Sequence, residues 1–271
     1  MFENRLKALW AQGRPAINGW LSVGNPFIAE IMAGQGYDSI TIDLQHGALD
    51  YGQALPMFQA LRASGVVPLA RVPWNEAGSV MKVLDAGAMG VICPMINSAA
   101  EAAQFVSYLR YPPLGQRSFG PTRASFAYGG YDTGAANDQI LALAMIETQA
   151  GVDNLEAIAA TPGLDGLYIG PSDLTLGTRN GRLPPGFDRE EPEIVELIRR
   201  IQAVCAKNGL RACLHCGEAD YAARAIGWGF DLTTVSGDTR LLAMAAAASV
   251  ARWRELVDGG KAAGPAGKGG C

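Results

Sequence analysis

A chain of 271 residues is long enough for one large α/β barrel or for two ordinary domains, since a (β/α)8 barrel takes about 250 residues as a single unit. Hydrophobic residues make up 49% and charged residues 18%, which supplies a continuous core and excludes the composition of a disordered chain. The net charge of −4 and a pI near 5.3 carry no basic footprint for nucleic acid or an anionic membrane, so small ligands are the expected partners.

In chain order, Met1–Gly13 reads as a short amphipathic starter helix, with no apolar run fit for a signal peptide or a membrane span. A cytoplasmic protein is expected. A strand-then-helix rhythm then repeats eight times. Its strands are predicted at Ile17–Val23, Ser39–Asp43, Val66–Val72, Gly90–Met95, Ala142–Glu147, Gly166–Gly170, Arg211–Cys216 and Asp231–Val235. Its helices are predicted at Pro26–Gln35, Tyr51–Ser64, Ala77–Ala86, Ser98–Leu109, Val152–Ala160, Glu190–Asn208, Ala219–Ile226 and Thr239–Leu256.

Near-continuous apolar strands are buried on both faces, as in a parallel sheet covered by helices, and right-handed crossovers wind eight such units into a barrel. The prediction is therefore a single (β/α)8 TIM barrel over residues 1–258, followed by a glycine-rich flexible tail, 259–271. A doubly wound open sheet is the runner-up; its glycine-rich first loop is missing, because Gly34-Gln-Gly36 sits at a helix end. Two long polar loops, Tyr111–Gln139 and Gly177–Asp188, interrupt the rhythm, and one or both are expected to fold over the site. Five scattered cysteines argue for a reducing compartment, and the Cys213-Leu-His-Cys216 spacing falls inside a predicted strand, where cysteine is a small apolar residue.

The active site of such a barrel lies where polar residues stop the apolar strands. Strand two ends in Asp43-Leu-Gln-His46, strand three in Arg71, strand five in Glu147, and strand six runs into Gly170-Pro171-Ser172-Asp173. Glu147 and Asp173 are the candidate metal ligands, two hard carboxylates suited to Mg²⁺ or Mn²⁺, with Co²⁺ a further fit. A metal there polarises the carbonyl of a chelating 2-oxo acid and stabilises the enolate formed on C–C cleavage. His46 is the candidate proton shuttle, with Asp43 placed to hold its tautomer, and Arg71 the anion binder. The backbone N–H groups of Ser172 and Asp173 are candidates for cradling a carboxylate, and Trp20 for lining the pocket. Simpler roles stay open: Glu147 paired with an arginine, Asp173 as a helix cap, Arg71 paired with Asp43, Pro171 as a rigid turn, Trp20 as plain core. A Schiff-base mechanism needs a lysine on a strand, and Lys7, Lys82, Lys207, Lys261 and Lys268 all fall elsewhere.

Taken together, the stretches Asp43-Leu-Gln-His46-Gly47, Arg71-Val-Pro-Trp74-Asn75, Leu84-Asp-Ala-Gly87, Pro94-Met95, Arg110-Tyr-Pro-Pro113, Gly115-Gln-Arg117, Ile146-Glu147-Thr148, Gly163-Leu-Asp-Gly166 and Ile169-Gly-Pro-Ser-Asp173-Leu174 resemble the HpcH/HpaI class II aldolases. That family includes 4-hydroxy-2-oxoheptanedioate and 2-dehydro-3-deoxyglucarate aldolases, and the resemblance runs from about Gly19 to Leu256. It implies a phosphoenolpyruvate/pyruvate-type barrel with a divalent metal on Glu147 and Asp173, a His46–Asp43 pair for proton transfer, Arg71 on the oxo-acid oxygens, and Asp85 as a supporting acid near a subunit contact. It also implies a homohexamer, a trimer of dimers in which the last helix packs on a neighbour, although Thr239–Leu256 suits covering its own barrel equally well. Two departures stand out. Gln45 occupies the place of a glutamate in Asp-x-Glu-His, and the stretch Arg117–Arg123 is similar to a less characterised branch.

The expected activity is reversible cleavage of a 4-hydroxy-2-oxo acid into pyruvate, or an analogue such as hydroxypyruvate, and an aldehyde. The rivals are another metal-enolate lyase, either an oxaloacetate decarboxylase or a citrate-lyase-like acyl-CoA lyase, and a non-catalytic barrel that binds a small acid.

Overall fold

The computed structural model describes residues 3–258, so the predicted tail 259–271 lies outside the described residues. The chain starts with α1 (Arg5–Ala11), β1 (Ala16–Leu21), α2 (Pro26–Ala33), β2 (Ser39–Asp43), α3 (Tyr51–Ser64), β3 (Val67–Arg71), α4 (Ala77–Asp85), β4 (Gly90–Cys93) and α5 (Ala99–Leu109). It continues with α6 (Ala124–Ala127), α7 (Thr133–Gln139), β5 (Leu141–Ile146), α8 (Gln149–Asp153), α9 (Leu155–Ala159), β6 (Gly166–Ile169) and α10 (Pro171–Thr178). The last elements are α11 (Pro192–Asn208), β7 (Arg211–Cys216), α12 (Ala219–Gly227), β8 (Leu232–Val235) and α13 (Asp238–Asp258). The eight strands close into a parallel barrel in chain order, β8 returning to β1.

Local chemistry sets the element ends. Asp50 and Gln53 form a reciprocal capping box at the start of α3, which ends on Gly65 in the left-handed region at φ 79°. Asn4 caps α1 and donates from Nδ2 to the Met89 and Gln139 carbonyls, pinning the starter helix under the barrel. The helix predicted at Val152–Ala160 is instead two short helices broken at Asn154, whose side chain reaches the Asn97 and Ala150 carbonyls. An amide that bonds neighbouring backbone competes with the helix ladder, and periodicity does not register it.

All residues of β2, β4, β5 and β6 are buried, as parallel strands under helices must be. The barrel interior nevertheless holds a polar network. Asn18 accepts from Ser39 Oγ (2.8 Å) and Thr41 Oγ1 (3.2 Å) and donates from Nδ2 to Thr234 Oγ1 (2.8 Å), which lies 2.6 Å from Tyr168 Oη.

The two long loops behave differently. Residues 111–139 carry α6 and α7 and pack outside the barrel, with Arg123 bonding the Ala86 and Phe58 carbonyls and the Tyr128 hydroxyl bonding the Gly87 carbonyl. Residues 177–188 do approach the mouth, since Phe187 stacks on His215 of β7. Helix α13 docks at its start, where the Asp238 carboxylate accepts the Ser22 and Val23 N–H groups, and every side chain from Thr239 to Val257 is exposed. It does not cover its own barrel.

Candidate active site

Asp43 is the best-partnered side chain of the mouth. It is 2% exposed and accepts from Arg71 Nε (2.8 Å) and Nη2 (2.6 Å), from the Trp20 indole N–H (3.2 Å), and from the backbone N–H groups of Gln45 (3.1 Å) and His46 (3.3 Å). Burial works to raise its pKa, but the Arg71 guanidinium, the His46 N–H and the Trp20 indole hold it below the ordinary carboxylate range. The Arg71 guanidinium also lies 4.9 Å over the Trp20 ring. The pairing of Arg71 with Asp43 is thus real, and it orients an arginine whose Nη1 has no partner among the described residues.

This arrangement corrects the expectation that Asp43 holds the His46 imidazole. The Asp43 carboxylate meets the His46 backbone, not its ring, and that turn sets the exposed His46 side chain at the rim beyond β2. Gln45 lies partly buried beside it with Oε1 unpartnered. Trp20 is 4% exposed, a wall that grips Asp43 rather than open pocket lining.

Glu147 follows β5 directly and is 3% exposed. Its Oε1 accepts the Met95 N–H at 2.8 Å, and Met95 adopts φ 57°, a left-handed conformation unusual for a side chain of its size. Its Oε2 faces Gly170, where an added Cβ would lie 2.6 Å away; glycine at that position makes room for the carboxylate. Burial first, and the nearby Asp173 charge second, push the Glu147 pKa up to about 7 against the pull of the Met95 N–H and of Arg71. The pairing of Glu147 with an arginine is thus not seen: its hydrogen bond is to backbone.

Asp173 stands in the first turn of α10 and is exposed at the mouth, with Gly170 as the N-cap and Pro171 at the first helical position. It is therefore no cap. The N–H groups of Ser172 and Asp173 belong to a helix start without a side-chain cap, where backbone donors are free for an anion. The Asp173 charge is near enough to help raise the Glu147 pKa, so a cation between the two carboxylates would relieve both the burial and the repulsion. The donor set fits a hard divalent ion, and since no third His, Cys, Asp or Glu joins it among the described residues, water and ligand oxygens would complete the shell.

Asp85, expected as a supporting acid, is not part of this cluster within one chain. It ends α4 and pairs with Arg117 at 2.8 Å, whose side chain is fully buried against the Tyr111 ring. Burial raises the Asp85 pKa, opposed by Arg117.

Sequence reasoning missed His215 and Phe187. His215 shares the inward phase of β7 with Cys213 and meets Trp20 edge-on at 4.6 Å. The strand alternation Arg211, Cys213, His215 was the available signal, hidden by the Cys-x-x-Cys spacing around it.

A (β/α)8 barrel that gathers two carboxylates and a guanidinium with one nitrogen free among the described residues at the C-terminal ends of its strands has the layout of an enzyme site. The chain belongs to the HpcH/HpaI aldolase/citrate lyase family, whose profile matches residues 17–244. It is 39% identical over 253 residues to a hydroxypyruvate/pyruvate aldolase of Rhizorhabdus wittichii, covering 93% of this chain and 100% of that protein. It is 34% identical to a 5-keto-4-deoxy-D-glucarate aldolase of Klebsiella pneumoniae, over 88% of this chain and 92% of that one. Among solved structures, an HpcH/HpaI aldolase/citrate lyase family protein of Burkholderia cenocepacia superposes with a TM-score of 0.82 at 30% identity, covering 93% of this chain and 99% of that one.

Proposed function

We propose that the chain is a divalent-metal-dependent class II aldolase that reversibly cleaves a 4-hydroxy-2-oxo acid into pyruvate, or hydroxypyruvate, and an aldehyde. The observation that carries this reading is the geometry of the mouth, where the buried Glu147 keeps Oε2 directed at Gly170 after β5 and Asp173 opens the first turn of α10 after β6. Glu147 and Asp173 would hold Mg²⁺, Mn²⁺ or Co²⁺, and the bound ion would act as a Lewis acid on the keto oxygen.

The remaining chemistry belongs to the chain. Arg71, immobilised by Asp43, offers Nη1 to an anionic oxygen of the acid, and the Ser172 and Asp173 N–H groups donate to its carboxylate. His46 takes the proton of the C4 hydroxyl as the C3–C4 bond breaks. The aldehyde leaves, the bonding pair passes into the C2–C3 enolate, and a proton delivered to C3 yields the oxo acid. Trp20 and the buried Glu147 exclude water on the inner side.

The acyl-CoA rival fits less well. It calls for a basic mouth, yet Arg117 is buried against Asp85 and Arg123 is spent on the Ala86 and Phe58 carbonyls. A pyruvate-release assay over a panel of 4-hydroxy-2-oxo acids tests the reading: turnover is expected to vanish with EDTA and return with Mn²⁺. Full activity after exhaustive removal of divalent cations would overturn it.

The same reading includes a homohexamer built through α13. Its exposed Leu242 (65%), Val250 (52%), Trp253 (61%) and Leu256 (67%) form more apolar surface than a solitary helix leaves in water. Trp253→Glu is expected to shift the mass measured by light scattering from hexamer to smaller species, and an unchanged mass would count against α13 as the contact. Cys93, Cys205, Cys213 and Cys216 are free and buried, which supports a reducing compartment such as the cytoplasm, and no helix among the described residues is long and apolar enough to cross a membrane.

A further inference from the structure

His215 leaves β7 pointing into the barrel mouth, and two rings fix its plane. Phe187 stacks on it with centroids 4.7 Å apart at 18°, and Trp20 meets it edge-on at 73°. Tyr168 Oη lies 3.3 Å from its Nδ1. The direction of that hydrogen bond depends on the imidazole tautomer, and the donors behind Tyr168 are compatible with Tyr168 giving its hydrogen to Nδ1. Asn18 Oδ1 is occupied by the Ser39 and Thr41 hydroxyls, so the amide turns Nδ2 toward Thr234 and donates to its Oγ1. A chain in which Thr234 gives its own hydrogen to Tyr168 leaves the Tyr168 hydrogen for Nδ1, and the role proposed for His215 rests on this arrangement. An uncharged imidazole that accepts at Nδ1 carries its hydrogen on Nε2.

Nε2 has no partner among the described residues and is not one of the solvent-inaccessible orphaned atoms, so it opens on the mouth. Burial, helped by the facing Arg71 and opposed by Asp43, holds the His215 pKa down to about 3. The ring therefore stays uncharged through the neutral range. It is a single, rigidly aimed, neutral donor on the opposite side of the barrel from Arg71, since β7 and β3 are four strands apart in the closed order.

We propose that His215 is a specificity-determining residue of this site, whose Nε2–H hydrogen-bonds an uncharged oxygen on the aldehyde half of the substrate and so favours hydroxylated over plain aliphatic aldehydes. The inference rests on the aldolase reading, in which Arg71, α10 and the carboxylate pair claim the oxo-acid half and leave the aldehyde to face β7. A neutral donor gains nothing from a methyl group, and a hydroxyl placed against it replaces a lost water.

The test pairs glycolaldehyde with propanal, which differ by a hydroxyl for a methyl, as acceptors for pyruvate in the synthetic direction. His215→Leu is expected to lower the glycolaldehyde-to-propanal ratio of kcat/KM by about tenfold, the worth of one hydrogen bond, and His215→Gln, which keeps a donor, to restore most of it. Nitrogen-15 NMR of the wild-type imidazole is expected to show the Nε2–H tautomer, with that preference lost in Tyr168→Phe. An unchanged ratio in His215→Leu, or an Nδ1–H tautomer in the wild type, overturns the proposal while leaving the aldolase reading intact. A wild type that condenses pyruvate with neither aldehyde, and cleaves no 4-hydroxy-2-oxo acid, overturns both.

Discussion

Replacing Glu147 by Gln is expected to abolish C–C cleavage and, in metal-free protein near pH 7.5, to raise thermal stability. The loss in kcat/KM should be on the order of 10³-fold, because the substitution removes the buried member of the carboxylate pair and with it the electrophilic assistance at the keto oxygen. The gain in stability has a separate origin. The folded protein holds the Glu147 proton up to about 7, whereas an ordinary glutamate releases it near 4.5. Between those values the folded state binds more protons than the unfolded one, so stability falls as pH rises through that window and stays low above it. For a side chain only 3% exposed, the decline is roughly 3 kcal/mol. Melting curves from pH 4.5 to 8 in EDTA should show the decline in the wild type and not in Glu147→Gln. Adding Mn²⁺ at pH 7.5 should lift the wild type alone. Parallel pH profiles for the two proteins would remove the physical basis for the cation site.

Asp43→Ala is expected to be the most destabilising single change at the mouth, by about 3–5 kcal/mol in urea unfolding, because it leaves the nearly buried Arg71 charge without its counter-ion and the Trp20 indole without an acceptor. Activity should fall as well, since Arg71 loses the two bonds that aim it. The double change Asp43→Ala with Arg71→Met separates the two effects. It should recover most of the stability, a buried ion pair often being replaceable by apolar groups, and none of the activity. A single variant within about 1 kcal/mol of the wild type would show that the pair contributes little, as exposed ion pairs do.

Much of this architecture was legible because the strands carry two kinds of information at once. The apolar runs at Ser39–Asp43 and Arg211–Cys216 match the observed β2 and β7 residue for residue, and the first polar residue after a run marks the barrel mouth. That rule places Glu147 at the mouth directly after β5, while Asp173 follows Ser172 in the first turn of α10. What was not legible depends on side-chain direction across turns. Spacing places Asp43 three residues before His46 and suggests a pair, but the turn hands the carboxylate to the His46 backbone and leaves the ring at the rim. Asp85 sits in a motif shared with the family, yet which surface it faces depends on how residues 111–139 lie against α4. His215 was masked by its cysteine neighbours, although the register that sets Cys213 beside Leu232 also sets His215 beside Thr234, inside the polar network.

The left-handed turn at Met95 bears on which ion the proposed site would accept. By fastening one oxygen of Glu147 to the backbone it leaves a one-handed ligand, facing the gap kept open at Gly170. Calcium fills its wide shell partly by gripping carboxylates with both oxygens, and an oxygen already accepting from the backbone is less available for that grip, whereas magnesium and manganese use single oxygens and retained water. On the aldolase reading, a left-handed torsion in a connecting loop would thereby tilt the site toward the smaller ions.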